Sequence, residues 1–192
     1  MELSGHDLTA LHAPPHPLLV EIEGRAKTDG VPVVSRETGR LLSTLVTAMQ
    51  ASRILEVGTG YGDATLWMAL AQPRMGKIWT MLSDLRRTEI ARSYFQRAGE
   101  DDYIEISSTP ALEMLDNFSH RNLDIAFVAA DESEYGRYFT LIVPMLKLSG
   151  LAIFDRALRA PRAFLESFLH HPQLDATLLQ IGDGIAIGAR RK

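Results

Sequence analysis

Arg53-Ile54-Leu55-Glu56-Val57-Gly58-Thr59-Gly60-Tyr61-Gly62-Asp63 is the stretch that decides the fold. Ile54 to Val57 reads as a buried strand, and the apolar, helix-forming run Ala64-Thr65-Leu66-Trp67-Met68-Ala69-Leu70-Ala71 follows the turn. Gly58, Gly60 and Gly62, at alternate positions, therefore lie on a strand-to-helix turn. Without a β-carbon, the backbone there turns sharply and lies close to whatever sits above it.

Outward from this turn the pattern repeats. Apolar runs at 53–57, 77–81, 103–107, 123–128 and 150–154 are separated by helical segments. Such βαβ alternation calls for a parallel sheet covered on both faces, with ligands at the carboxyl ends of its strands. Upstream, after the His12-Ala13-Pro14-Pro15-His16-Pro17 loop, helices are expected around Leu18 to Lys27 and from Ser35 to Met49. Downstream, Ala176 to Ile181 and Ile185 to Ala189 flank Gly182-Asp183-Gly184, a β-hairpin signal. One domain over residues 1–192 is expected, with 1–50 a helical extension and 51–192 the α/β core.

A dinucleotide fingerprint runs G-x-G-x-x-G, whereas these glycines run G-x-G-x-G with Glu56 two residues ahead. A pyrophosphate is repelled by a nearby anion. An amino-acid end carries an ammonium that Glu56 would attract, directly or through water, which favours S-adenosylmethionine over NAD.

Composition bounds the rest. Of 192 residues 46% are hydrophobic and 23% charged, the balance of an ordinary globular domain. Zero cysteines exclude disulfides and thiolate metal sites and suit a reducing cytoplasm. No apolar run is long enough for a membrane span, and Met1 to Asp7 lacks the pattern of a signal peptide. A net charge of −4 argues against a nucleic-acid partner. The basic end Arg190-Arg191-Lys192 reads as a solvated tail.

Glu37-Thr38-Gly39-Arg40-Leu41-Leu42, the Leu55-to-Gly62 turn and the Ile181-Gly182-Asp183-Gly184-Ile185 hairpin together resemble the small cation-dependent O-methyltransferases related to the catechol and caffeoyl-CoA enzymes. The resemblance runs from about Val31 to Arg190. It implies a Rossmann-like class I methyltransferase fold: a seven-stranded, mostly parallel sheet with a C-terminal antiparallel hairpin. It also implies S-adenosylmethionine as donor and a homodimer. By that likeness Val34 and Ser35 line the donor pocket from the N-terminal side, and Glu56, Gly58, Thr59, Gly60, Gly62 and Asp63 form its floor. By the same likeness Asp63 stands where the family commonly has Ser beside the methionine carboxylate, a departure that sets one carboxylate near another unless Asp63 caps the following helix. In Thr109-Pro110-Ala111-Leu112, Ala111 is expected to meet the adenine, or else the segment simply starts a helix.

Departures from the family cluster where chemistry is expected. The ribose-binding acid at the end of the second strand falls on Leu82, with Asp84 as candidate substitute or as a solvent-facing acid. The metal-ligand positions read Ala129, Asp155 and Arg156, with Ala129 left to the donor pocket, and the family's Lys corresponds to Glu132. One carboxylate beside a guanidinium makes a poor site for a hard divalent cation, so no metal is expected. Asp131 or Asp155 is then the candidate base, and Arg156 the candidate stabiliser of an anionic acceptor; the alternative for Asp155 and Arg156 is a surface ion pair. Arg156, Arg159 and Arg162 recur at threes and suggest a basic face. The expected activity is methyl transfer from S-adenosylmethionine to an oxygen of a small aromatic or anionic acceptor without a divalent metal. The rival is a non-catalytic cofactor-binding or dimerisation module.

Overall fold

The computed structural model describes residues 11–191, so Met1 to Asp7, His6 included, and Lys192 lie outside the described residues. Two helices lie wholly within the described residues before the first strand: α1 (Pro17–Asp29) and α2 (Arg36–Met49). His16 caps α1 through its ring nitrogen, with Pro17 in the first turn, and Gly30 ends it in a left-handed conformation at φ 67°. Ser35 caps α2 by accepting from the Thr38 N–H.

Strands and helices then alternate: β1 (Arg53–Val57), α3 (Asp63–Ala69), β2 (Lys77–Met81), α4 (Leu85–Ala98), β3 (Ile104–Ser107) and α5 (Ala111–Asp116). After them come β4 (Leu123–Val128), α6 (Tyr135–Ile142), β5 (Leu146–Phe154), α7 (Arg162–Leu169), β6 (Leu174–Leu179) and β7 (Ile185–Arg190). Among the described residues the seven strands form one sheet in the order β3-β2-β1-β4-β5-β7-β6. Pairing is parallel through β5 and antiparallel in the terminal hairpin. The expected α/β sheet with its antiparallel hairpin is thus present.

All of β4 is buried, the signature of a strand covered on both faces. Period two divides β1 between two cores. Ile54 faces Leu19, Ile22, Leu42, Val46, Leu66 and Phe95 of α1 to α4, whereas Leu55 and Val57 face the aromatic cluster around Tyr135, Phe139, Phe154 and Phe168. Helices α1 and α2 thus belong to the core rather than appending to it.

Three boundaries differ from expectation, one of them β6, which runs Leu174–Leu179 rather than 176–181. Arg190, read as part of a solvated tail, is instead the last residue of β7. β5 begins at Leu146 rather than 150, because a register shift between Leu123 and Ile125, with Ser149 at φ 64°, interrupts the regular pairing. Tyr103 closes a 3₁₀ turn before β3. No helix among the described residues is long and apolar enough to cross a membrane.

Candidate functional site

The chain order reverses between β1 and β4, with β2 beside one and β5 beside the other. That is the switch point of a doubly wound sheet, where the loops leaving two neighbouring strands diverge and leave a crevice. A cavity of about 500 Å³ opens there. Its walls come from the loop before α2, the glycine turn, the ends of β2 and β4, the start of α5 and the segment after β5.

The glycine turn makes the close approach that its composition predicts. Gly58 and Gly60 line the cavity, at φ 101° and 55°. A β-carbon on Gly58 would stand 2.4 Å from the Ala129 carbonyl oxygen, so only glycine lets β1 and β4 end this close together. Thr59 also lines the cavity, its hydroxyl 2.6 Å from that of Thr80. Gly62 instead seats the turn against α4 at φ 88°, where a β-carbon would meet Phe95 at 2.5 Å.

Glu56, expected to meet an ammonium, does not line the cavity. It shares a face of β1 with Ile54, which carries it beneath the turn against α3. There one oxygen accepts from the hydroxyls of Thr65 and Thr80, and the other has no hydrogen-bond partner. Burial pushes its carboxyl up to about 7, against the two hydroxyls that favour the anion.

Asp63 does line the cavity, and it does not cap α3; Gly62 holds the cap position, with no side-chain bond there. One Asp63 oxygen accepts from the Val34 N–H at 3.2 Å and the other is buried without a partner. Burial, reinforced by the Glu23 carboxylate, pushes it up to about 8. Val34 lines the cavity beside it, whereas Ser35 does not, being committed to its helix cap.

Ala111 and Ala129 line the cavity, as expected. Asp84 does not; it caps α4 by accepting from the Arg87 N–H and pairs with the Arg87 guanidinium at 3.3 Å. At that end the walls are Met81, Leu82, Ser83 and Arg87.

Asp131, Asp155 and Arg156 come together at the opposite end, joined by Glu132, Glu134 and Tyr138. Arg156 sits in the left-handed region at φ 49°, a conformation costing a side chain about 1–2 kcal/mol. Its guanidinium donates to the Ala130 carbonyl at 2.8 Å and lies 2.9 Å from Glu132. The Nε–H is not aligned on that oxygen, so the contact is an ion pair by proximity rather than a hydrogen bond. The partner of Arg156 is therefore Glu132 and not Asp155.

Burial pushes the Asp155 carboxyl above its usual range, opposed by the Arg156 N–H and charge. Asp131 lies below its range because the Ser133 hydroxyl and N–H hold the anion, at 2.7 and 2.9 Å. The expected basic face does not form: Arg159 pairs with Asp183 and Arg162 with Glu166, and only Arg156 reaches the cavity. Sequence reasoning missed Ser83, Arg87 and Tyr138, although Tyr138 follows Glu134 by four residues and donates to it at 2.6 Å.

Residues 16–192 match the O-methyltransferase family. The chain belongs to that family. It is 30% identical over 177 residues to a catechol O-methyltransferase of Mycobacterium tuberculosis, covering 82% of this chain and 80% of that one. A methyltransferase from Geobacter sulfurreducens superposes with a TM-score of 0.89 at 27% identity, over 98% of this chain and 95% of the other. A cofactor-bound protein from MTB superposes at 0.88 and 26% identity over 100% of both chains.

At the positions expected for metal ligands stand Ala129, Asp155 and Arg156, with Glu132 2.9 Å from the guanidinium. One carboxylate and an arginine do not fit a hard divalent cation. Among the described residues no group of three or more His, Cys, Asp or Glu is placed to hold a metal ion.

Proposed function

We propose that this O-methyltransferase takes its methyl group from S-adenosylmethionine and gives it to an oxygen of a small aromatic or anionic acceptor without using a divalent cation. The observation that carries this is the cavity at the switch point. Its floor is the glycine turn, its inner wall offers a buried carboxylate with a free oxygen, and its far end offers an acid beside a guanidinium. The volume of about 500 Å³ is within the usual range for a cofactor-sized ligand.

Val34, Gly58, Thr59, Gly60, Asp63, Ala111 and Ala129 would hold the donor. Bound there, the cofactor supplies an electrophilic methyl on a sulfonium. Asp155 is the better base of the two candidates, because its raised affinity for a proton suits removal of a phenolic proton near neutral pH, whereas Asp131 is a weak base. Arg156, held by Ala130 and Glu132, places a positive charge where the acceptor oxygen becomes an anion. Glu56, Gly62 and Ser35 support the turn and α2 from behind. Cytoplasmic location and a homodimer complete the proposal, supported by the cysteine-free sequence and by the family resemblance.

Calorimetric titration with S-adenosylhomocysteine, followed by methyl-transfer assays on a panel of phenols with magnesium or with a chelator, tests it. Binding and turnover that ignore the metal are expected, and Asp155→Ala is expected to lower kcat by about 10²-fold or more. Turnover abolished by chelation would refute metal independence. Cofactor binding with no turnover on any acceptor would favour the non-catalytic alternative.

A further inference from the structure

We propose that Asp63 is the carboxylate that receives the ammonium of the donor's amino-acid end, exchanging its own proton for that ion pair, so that cofactor binding releases a proton to solvent. This rests on S-adenosylmethionine being the donor. It assigns to Asp63 the contact that the sequence assigns to Glu56.

The geometry separates the two acids. Glu56 is behind the turn with an oxygen engaged by two hydroxyls, and it forms no part of the cavity wall. Asp63 is in the wall, 4% exposed, with one oxygen fixed by the Val34 N–H and the other enclosed and unpartnered. A buried carboxyl oxygen with no hydrogen-bond partner, protonated or not, is rare and costly, and an ammonium pairing with the carboxylate would recover that cost.

The surroundings select a cation. Glu23 of α1 and Glu56 of β1 both bear on Asp63 with the same sign. Arg36 of α2 is the cation beside them, but three hydrogen bonds of 2.7–3.1 Å tie it to Glu23. Within that pair Glu23 acts on Asp63 more strongly than Arg36 does, so the pocket around Asp63 favours an incoming positive group. A single carboxylate suits an ammonium better than a metal ion, which takes six or more oxygens.

Before binding, burial first and the Glu23 charge next, with a smaller part from the partly ionised Glu56, keep most of Asp63 protonated at pH 7, in line with a carboxyl raised to about 8. An arriving ammonium reverses that balance: the Asp63 O–H bond breaks, the carboxylate stays in the ion pair, and the proton leaves to buffer.

The experiment is calorimetry of S-adenosylhomocysteine binding at pH 7 in two buffers of different ionisation enthalpy. Release of about one proton is expected for the native protein, falling towards none above pH 9. Asp63→Asn keeps an acceptor for the Val34 N–H and is expected to fold, which its circular-dichroism melt checks. It is expected to bind S-adenosylhomocysteine about tenfold or more weakly, with no proton release. 5′-Methylthioadenosine, which lacks the amino-acid end, is expected to bind both proteins alike without releasing a proton. Glu56→Gln is expected to retain the release. Binding of S-adenosylhomocysteine without proton release, or release that survives Asp63→Asn, would overturn the inference and leave the donor standing. Absence of binding to the native protein would overturn the donor itself, and the inference with it.

Discussion

Replacing Gly58 by alanine tests whether the switch-point crevice depends on a bare backbone. Gly58 stands at φ 101°, and its added β-carbon would lie 2.4 Å from the Ala129 carbonyl oxygen and 2.8 Å from its carbon. Neither neighbour is a side chain able to swing away. The Ala129 N–H also donates to Val57 at 2.8 Å, and the Gly58 N–H to Met81 at 3.1 Å, so relief by backbone movement stretches the ends of three strands. Gly30 supplies the control: it is left-handed at φ 67°, and a β-carbon there meets nothing within 4 Å. Gly30→Ala therefore incurs only the conformational cost of about 1–2 kcal/mol. Gly58→Ala adds backbone overpacking of about 1–3 kcal/mol, for a total of about 2–5 kcal/mol. In a domain of this size about 2–4 °C accompanies each kcal/mol, so thermal melting should fall by roughly 2–8 °C for Gly30→Ala and roughly 4–20 °C for Gly58→Ala. Only the second should also weaken S-adenosylhomocysteine, because Gly58 lines the cavity and Gly30 does not. Circular-dichroism melts and calorimetry on both variants provide the check. Equal melting shifts together with unchanged affinity at Gly58→Ala would refute the close approach of β1 to β4.

Stability without ligand should also depend on pH in a definite direction. Glu56 and Asp63 bind protons more tightly folded, at about 7 and about 8, than at their ordinary values of 4.5 and 3.8. Their contribution is fully present below those ordinary values and is lost as pH rises through 7 and 8, so urea midpoints should decline from mildly acid to mildly alkaline pH. Glu56→Gln combined with Asp63→Asn should flatten that decline, and an unaltered slope would show that the two acids do not cause it. Asp124 ties the opposite ends of the strands together: one oxygen accepts from the Ser52 and Arg53 N–H groups at 2.8 Å each, and the other pairs with Lys147 at 2.5 Å. Asp124→Ala leaves two part-buried N–H groups without that acceptor and should cost about 1–3 kcal/mol by urea denaturation, with Asp124→Asn costing less. Burial raises the Asp124 carboxyl, but Lys147 and the two N–H groups outweigh it and leave it below the usual range. Its contribution is therefore present above the ordinary pKa and lost as pH falls through the folded one.

Much of the frame was legible because the signals are local. Apolar runs of strand length separated by helical segments give a parallel sheet, and β4 at 123–128 and β1 at 53–57 fall where the runs predict them. The helix start at Ser35 is visible because a hydroxyl three residues ahead of Thr38 supplies a donor-matched cap. The early start of β5 was not legible, since the bulge depends on pairing with Leu123, more than 20 residues away in sequence.

By itself the sequence determined that a glycine turn follows the first strand and that a hairpin closes the sheet, and by resemblance alone it set Ala129 and Arg156 at the positions expected for metal ligands. Only the tertiary structure decided which acid faces the cavity. Strand parity turns Glu56 toward α3, while the loop before α2 folds back over the turn and lets the Val34 N–H reach Asp63, 29 residues away. Likewise Arg156 finds Glu132 instead of Asp155 because two loops from neighbouring strands meet above the sheet. Covalent order fixes which residues exist near a strand end; the directions of their side chains, and so the charge each presents to a ligand, follow from contacts between segments that sequence distance does not reveal.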